Sequence, residues 1–263
     1  MTYQPVLPLS GYTGWRFLQR TLDTQTKAFT QSAEIKRATD YFKENIGKVR
    51  TVDDLMKDRR LLDVSLKAFG LDDDINNKAF IKKVLAEGTL KDTAFANRLS
   101  DKRYTEFARV FGFGDLGART GLATFPDAII NRFNSRQFEK AVGDQSSDMR
   151  LALNLSTGIK DVLANSSTST GQWFGVMGSA SLRAVFQTAL GFSSSFGQID
   201  LDQQLTAFKA RARNVFGTDD LKTFSDPVVQ DKLIRLYMVR SEAAASSGSS
   251  PASRALSLLQ GGG

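Results

Sequence analysis

The sequence predicts an all-α fold, and three observations carry that prediction. Proline, the strongest helix breaker, occurs five times in 263 residues, with none between Pro8 and Pro126 or between Pro126 and Pro227. Apolar residues recur at the i, i+3, i+4 spacing that lines one face of a helix. No comparable run of strict alternation, rich in β-branched residues, marks a half-buried strand.

Taken in order, Ile35, Ala38, Tyr41, Phe42 and Ile46 form the first such face, and Leu62, Leu66 and Phe69 the next. Phe80, Ile81, Val84 and Leu85 follow, then Tyr104, Phe107, Val110 and Phe111. The second half repeats the pattern at Leu182, Val185, Phe186 and Leu190, at Leu201, Leu205, Phe208, Ala212 and Val215, and at Leu233, Leu236 and Tyr237. Asp53, Ser100 and Asp226 suit helix N-caps, with Pro227 at a first helical position, and Gly70, Gly88 and Gly191 suit helix ends. The polar run 166–171 reads as a junction between helices.

The halves resemble each other. Leu61 to Leu71 aligns with Leu182 to Phe192 at an offset of 121 residues, and Leu99-Ser100-Asp101 with Phe107 and Phe111 aligns with Phe224-Ser225-Asp226 with Leu233 and Tyr237 at 125 and 126. This predicts two pseudo-repeated multi-helix units with flexible termini. The boundaries read as a flexible arm over 1–20, a first helical unit over 21–117, a second over 118–240, and a disordered tail over 241–263 rich in Ser, Ala and Gly. Within the tail, Ala255 to Leu259 is an apolar turn able to dock.

Composition narrows the chemistry. With no Cys and no His, the chain lacks disulfides, thiolate nucleophiles, imidazole bases and the usual zinc ligands. Carboxylate, Lys or Tyr chemistry and oxygen-ligated cations remain open. A formal charge of +7 permits a nucleic-acid or anionic-membrane partner without establishing one. No apolar run reaches the roughly 20 residues of a membrane span, and the first residues lack the basic and apolar regions of a general secretory signal peptide.

Individual motifs favour structural roles. Gly112-Phe113-Gly114-Asp115-Leu116-Gly117 has G-x-G-x-x-G spacing, but a dinucleotide loop follows a strand, and the segment before it reads as helix. It reads as a flexible connector between the two units. Asp72-Asp73-Asp74-Ile75-Asn76 opens like a calcium loop, yet Asn77 replaces the turn glycine and Lys83 the bidentate glutamate. Its acids, like Asp53-Asp54 and Asp219-Asp220, read as helix-start charges. Lys78, Lys82 and Lys83, and Arg98, Lys102 and Arg103, form basic clusters without the interleaved aromatics of a base-stacking platform. No catalytic, cofactor-binding or metal-ligating residue is assigned, and no cofactor is expected. Trp15, Arg16, Phe17 and Leu18 have two readings: packing onto the first unit, or an arm that docks to a partner. They are the candidate partner-binding residues.

Several segments carry a family resemblance. Trp15 to Thr21, Tyr41 to Ile46, Ala68 to Leu71, Asn77 to Gly88 and Phe95 to Tyr104 together resemble the bacterial domain of unknown function 1217, over most of residues 10 to 240. The resemblance implies an alphaproteobacterial, flagellum-associated, non-enzymatic role, and supplies no catalytic residue. The expected function is a structural or export-linked protein acting through helix-mediated contacts with protein partners, flagellar components among them. The expected location is cytoplasmic or exported to the flagellum. The alternatives are a basic nucleic-acid-binding regulator, for which no specific nucleic acid is expected, and a carboxylate-dependent enzyme.

Overall fold

The computed structural model describes residues 3–248. Among them every regular element is helical. In chain order these are α1 (Gly11–Thr30), α2 (Ala33–Asn45), α3 (Val52–Lys57), α4 (Arg59–Ala68), α5 (Lys78–Glu87), α6 (Phe95–Arg98) and α7 (Arg103–Phe111). They continue with α8 (Phe125–Gly143), α9 (Ser147–Asn165), α10 (Ser169–Gly178), α11 (Ala180–Ala189), α12 (Leu201–Phe216) and α13 (Pro227–Gly248). Short 3₁₀ turns, including Asp72–Asn76, Ser194–Gln198 and Leu221–Ser225, join several of them.

The chain divides into two compact units. The first comprises Leu22–Ala141 together with the residues up to Pro5, and the second comprises Val6–Thr21 together with the chain from Val142 onward. Both differ from the ranges read from sequence. Residues 118–141 join the first unit because α8 buries Phe125, Ile129, Phe133 and Phe138, with Phe125 against Phe111 and Phe138 against Phe29. Ion pairs Lys43–Asp127, Arg132–Glu106 and Lys140–Asp72 fasten the same helix to its unit.

The expected flexible arm is also corrected. The chain is helical from Gly11, and Trp15, Leu18, Gln25 and Phe29 are buried along one stripe of α1. Their spacings of three, seven and four keep them on one face of the helix. At the other end, residues 241–248 complete α13 and Ser241 donates to Asp148, so the expected tail begins later than Ser241. The remainder of that tail, with Ala255 to Leu259, lies outside the described residues.

Each unit has an aromatic centre. In the first, Phe107 and Phe111 stand 4.9 Å apart and both meet Phe69. In the second, Trp173 meets Phe186, Phe208 and Phe224, and its indole N–H donates to the Asp219 carbonyl. Offset and edge-on rings at these distances gain from quadrupole contacts beyond area burial.

Local chemistry is parallel in the two units. α4 ends at buried Phe69, with Gly70 at φ +69°; α11 ends at buried Leu190, with Gly191 at φ +75°. In both places the following amide reaches back to a helix carbonyl, Leu71 to Leu66 and Phe192 to Gln187, as the Schellman motif requires. One residue closes one helix and caps the next in each unit: Asp58 before α4 and Ser179 before α11. α2 and α3 pack on α4, as α9 and α10 pack on α11.

The caps partly follow expectation. Asp226 accepts from the amides of Val228 and Val229 with Pro227 between, and Gly88 ends α5 at φ +67°. Two N-caps shift. Thr51, not Asp53, caps α3, in a reciprocal capping box with Asp54. Asp101, not Ser100, accepts the first amide of α7, from Arg103. In both cases a nearby side chain with better reach satisfies the free N–H groups.

Candidate protein-interaction surface

The four candidate residues on α1 separate by helical phase. Trp15 and Leu18 point inward, 4% and 0% exposed, and the Trp15 indole N–H meets no acceptor among the described residues, so the ring works as an apolar body. Arg16 is half exposed and pairs with Asp231 at 3.5 Å. Phe17 is half-buried. Tyr12 donates to the same Asp231 at 2.7 Å, burial and then this bond raise its pKa, and Ser10 donates to Glu242. These ties hold the first turns of α1 to α13 within the second unit. The outward face there presents Arg16, Gln19 and Arg20.

The glycine-rich loop lies inside the first unit and does not connect the two. Gly112 closes α7 in the left-handed region at φ +74°, and a Cβ on Gly114 would collide with the backbone of residues 86–88. Asp115 accepts from both the amide and the hydroxyl of Thr89 and from the amide of Leu90. The spacing therefore serves a clamp between two loops. Leu90 and Leu116, 67% and 86% exposed, stand beside it.

The acids and bases that suggested chemistry are engaged. Asp74 accepts from Tyr104 and Asn77, and Asp72 pairs with Lys140, so the acidic turn ties α7 and α8 down where sequence suggested capping of α5. Burial and the Asp74 bond push Tyr104 up to about 12. Asp219 is held below the usual carboxylate range by Arg213, with Lys209 adding to it against a desolvation penalty. Asp54 is lowered by the Thr51 hydroxyl and by backbone amides. Of the basic clusters, Lys82 pairs with Asp53, and Lys83 lies over the Phe95 ring. Lys78 and Lys102 donate to helix-end carbonyls, and Arg103 bonds Asp101 and the Gly70 carbonyl. Among the described residues no three acids converge to hold a metal ion, and no helix is long and apolar enough to cross a membrane.

One feature was not apparent in the sequence: Arg37, Arg59 and Arg60 meet at a cleft between α2 and α4. Its only sequence signal is the Arg59-Arg60 pair, and the third arginine joins it through packing.

The architecture is that of an all-α protein with two helical units. A family model for a protein of unknown function, DUF1217, matches residues 68–229, and the chain belongs to that family. It is similar to a crystal structure of a protein from Agrobacterium tumefaciens at 28% identity and a TM-score of 0.71, covering 91% of this chain and 98% of that one. No curated protein matches it.

Proposed function

We propose that this chain is a non-enzymatic, flagellum-associated structural or export-linked protein that acts through helix-mediated protein contacts. The observation that carries the non-enzymatic part is the employment of its polar groups. In the acidic clusters at 53–54, 72–74 and 219–220, Asp54 and Asp220 supply caps and Asp53, Asp72 and Asp219 supply ion pairs, which supports a structural use of these carboxylates. The flagellar and alphaproteobacterial setting rests on what the family resemblance implies. The outward face of α1 with Arg16 and the edge of Phe17, and the clamp bearing Leu90 and Leu116, are the surfaces offered to partners. The two-unit repeat belongs to the same reading: matched caps at an offset of 121 residues support a duplicated scaffold.

The nucleic-acid alternative is less well supported, because Lys78, Lys82, Lys102 and Arg103 are already bonded within the chain. The test is deletion of the coding sequence in a motile native host, together with in-cell crosslinking of a tagged copy and mass spectrometry. Impaired swimming and enrichment of flagellar components are expected. Normal swimming with no flagellar protein captured overturns the reading.

A further inference from the structure

We propose that the cleft between α2 and α4 docks an acidic segment of a protein partner, gripped by Arg37, Arg59 and Arg60. This rests on reading the chain as an interaction protein and specifies the chemistry of one of its partners. The cleft is an open depression of about 370 Å³.

What distinguishes it is the state of its cations. Arg37 spends its Nε–H on the Ala33 carbonyl of its own helix, at 2.9 Å. Arg59 points both terminal nitrogens at one neutral acceptor, the Asn76 amide oxygen, at 3.3 Å each. Arg60 lies flat over the Tyr41 ring, 3.5 Å from its centroid, while the phenol is anchored on Asp58 at 2.6 Å. Among the described residues none of the three forms an ion pair, whereas Arg16, Arg103, Arg132, Arg136 and Arg213 all do.

The nearby carboxylates do not restore balance. Asp63 is taken by Lys67 at 2.8 Å, and Asp58 accepts from Tyr41 and from the amides of Arg60 and Leu61. Three guanidinium groups therefore stand against Glu34 at the cleft. A guanidinium fork matches a carboxylate with two parallel bonds, and stacking of Arg60 reduces the side-chain entropy lost on binding.

The remaining lining selects the kind of anion. Ala38 and Val64 make an apolar floor, suited to an aliphatic neighbour of the acidic side chain. Glu34 also lines the cleft, and it would oppose the close-spaced phosphates of a nucleic acid or the dense charge of an anionic bilayer. An acidic peptide can set its carboxylates on the arginines and keep them off Glu34.

The test pans a phage-displayed dodecapeptide library against the full chain and measures the recovered peptides by fluorescence anisotropy. Recovered peptides should carry Asp or Glu beside an apolar residue and weaken as salt rises. Arg37→Gln, Arg59→Gln and Arg60→Gln combined should cost at least tenfold in affinity. The same number of charges removed at the exposed Lys57, Lys91 and Arg109, each to Gln, should leave affinity unchanged. Circular dichroism checks that both variants fold. If the triple variant does not, Arg37→Gln alone should weaken binding at least threefold, since Arg37 bonds only its own helix.

Peptides without acidic bias, equal binding by the arginine variant, or no recovered peptide overturn the proposal. So does a single-stranded DNA 20-mer or a phosphatidylglycerol vesicle that binds the chain and is lost with the three arginines. Flagellar proteins captured equally by the arginine variant would overturn the cleft and leave the broader function standing.

Discussion

Tyr104 donates its phenolic proton to Asp74 at 2.6 Å, fastening α7 to the acidic turn that follows α4. The same device recurs at Tyr12 on Asp231, Tyr41 on Asp58 and Tyr237 on Asp148, each pair joining parts of one unit that are distant in sequence. A hydrogen bond to an ionised carboxylate is worth more than a neutral one, about 1.5–3 kcal/mol. Replacing Tyr104 with Phe should therefore lower stability by about 1–2 kcal/mol in urea unfolding at pH 7, allowing for its partial exposure.

These phenols also make an alkaline limit. Tyr104 is pushed up to about 12 from an ordinary 10.0, and burial with the Asp148 bond drives Tyr237 higher still. A pKa raised on folding gives stability that is complete below the unfolded value and is lost as pH rises through the folded one. Unfolding free energy should be flat from pH 8 to about 9.5 and then decline, and Tyr104→Phe should make the decline shallower. An identical slope in the two proteins would refute the assignment.

At the acid end, Asp54 is depressed by its capping box, so its contribution is present above the ordinary carboxylate value and is lost as pH falls through the folded one. Thr51→Ala should cost about 1 kcal/mol at pH 7. The loss should shrink on titration below pH 4, where the wild-type box also comes apart.

Gly70 and Gly191 occupy the left-handed region at the ends of α4 and α11, at φ +69° and +75°. Alanine at either should cost about 1–2 kcal/mol, because a Cβ there crowds the following carbonyl. Added atoms would also approach the arginine contacts of Arg103 and Arg240. Similar losses in differential scanning calorimetry are expected from a duplicated scaffold, and a difference above about 2 kcal/mol would argue against equivalence.

Trp15→Ala should cost about 3–5 kcal/mol, as for other large core side chains. Arg16→Ala, one residue on, should stay within about 0.5–1 kcal/mol because its ion pair is exposed. Chemical denaturation of both variants checks the separation by helical phase.

The helices were legible because their apolar period is local: Leu62, Leu66 and Phe69 need no distant partner to declare a face. Asp226, Pro227 and the closing glycines were legible for the same reason. For Trp15 and Leu18 the sequence leaves packing and a docking arm both open, because aromatic density beside a glycine suits either, and their burial follows the packing reading. The boundary at 117 failed because Phe125 and Phe138 find their partners, Phe111 and Phe29, at separations a periodicity scan does not reach. Arg37, Arg59 and Arg60 were invisible as a group, since a shortage of counterions emerges only when side chains are placed in space.

The second unit is interrupted in sequence by Leu22–Ala141 of the first, and this discontinuity sets a timetable for synthesis. Tyr12 meets Asp231 across a separation of 219 residues. At about 5–20 residues per second, a ribosome takes on the order of ten to forty seconds to span that gap. During that interval Trp15 and Leu18 have no finished unit to enter, while the residues from 22 to 141 gain the partners their own unit supplies once Ala141 is made. Until α13 is made, the first turns of α1 lack the helix to which Tyr12 and Arg16 tie them, so the second unit is the later of the two to close.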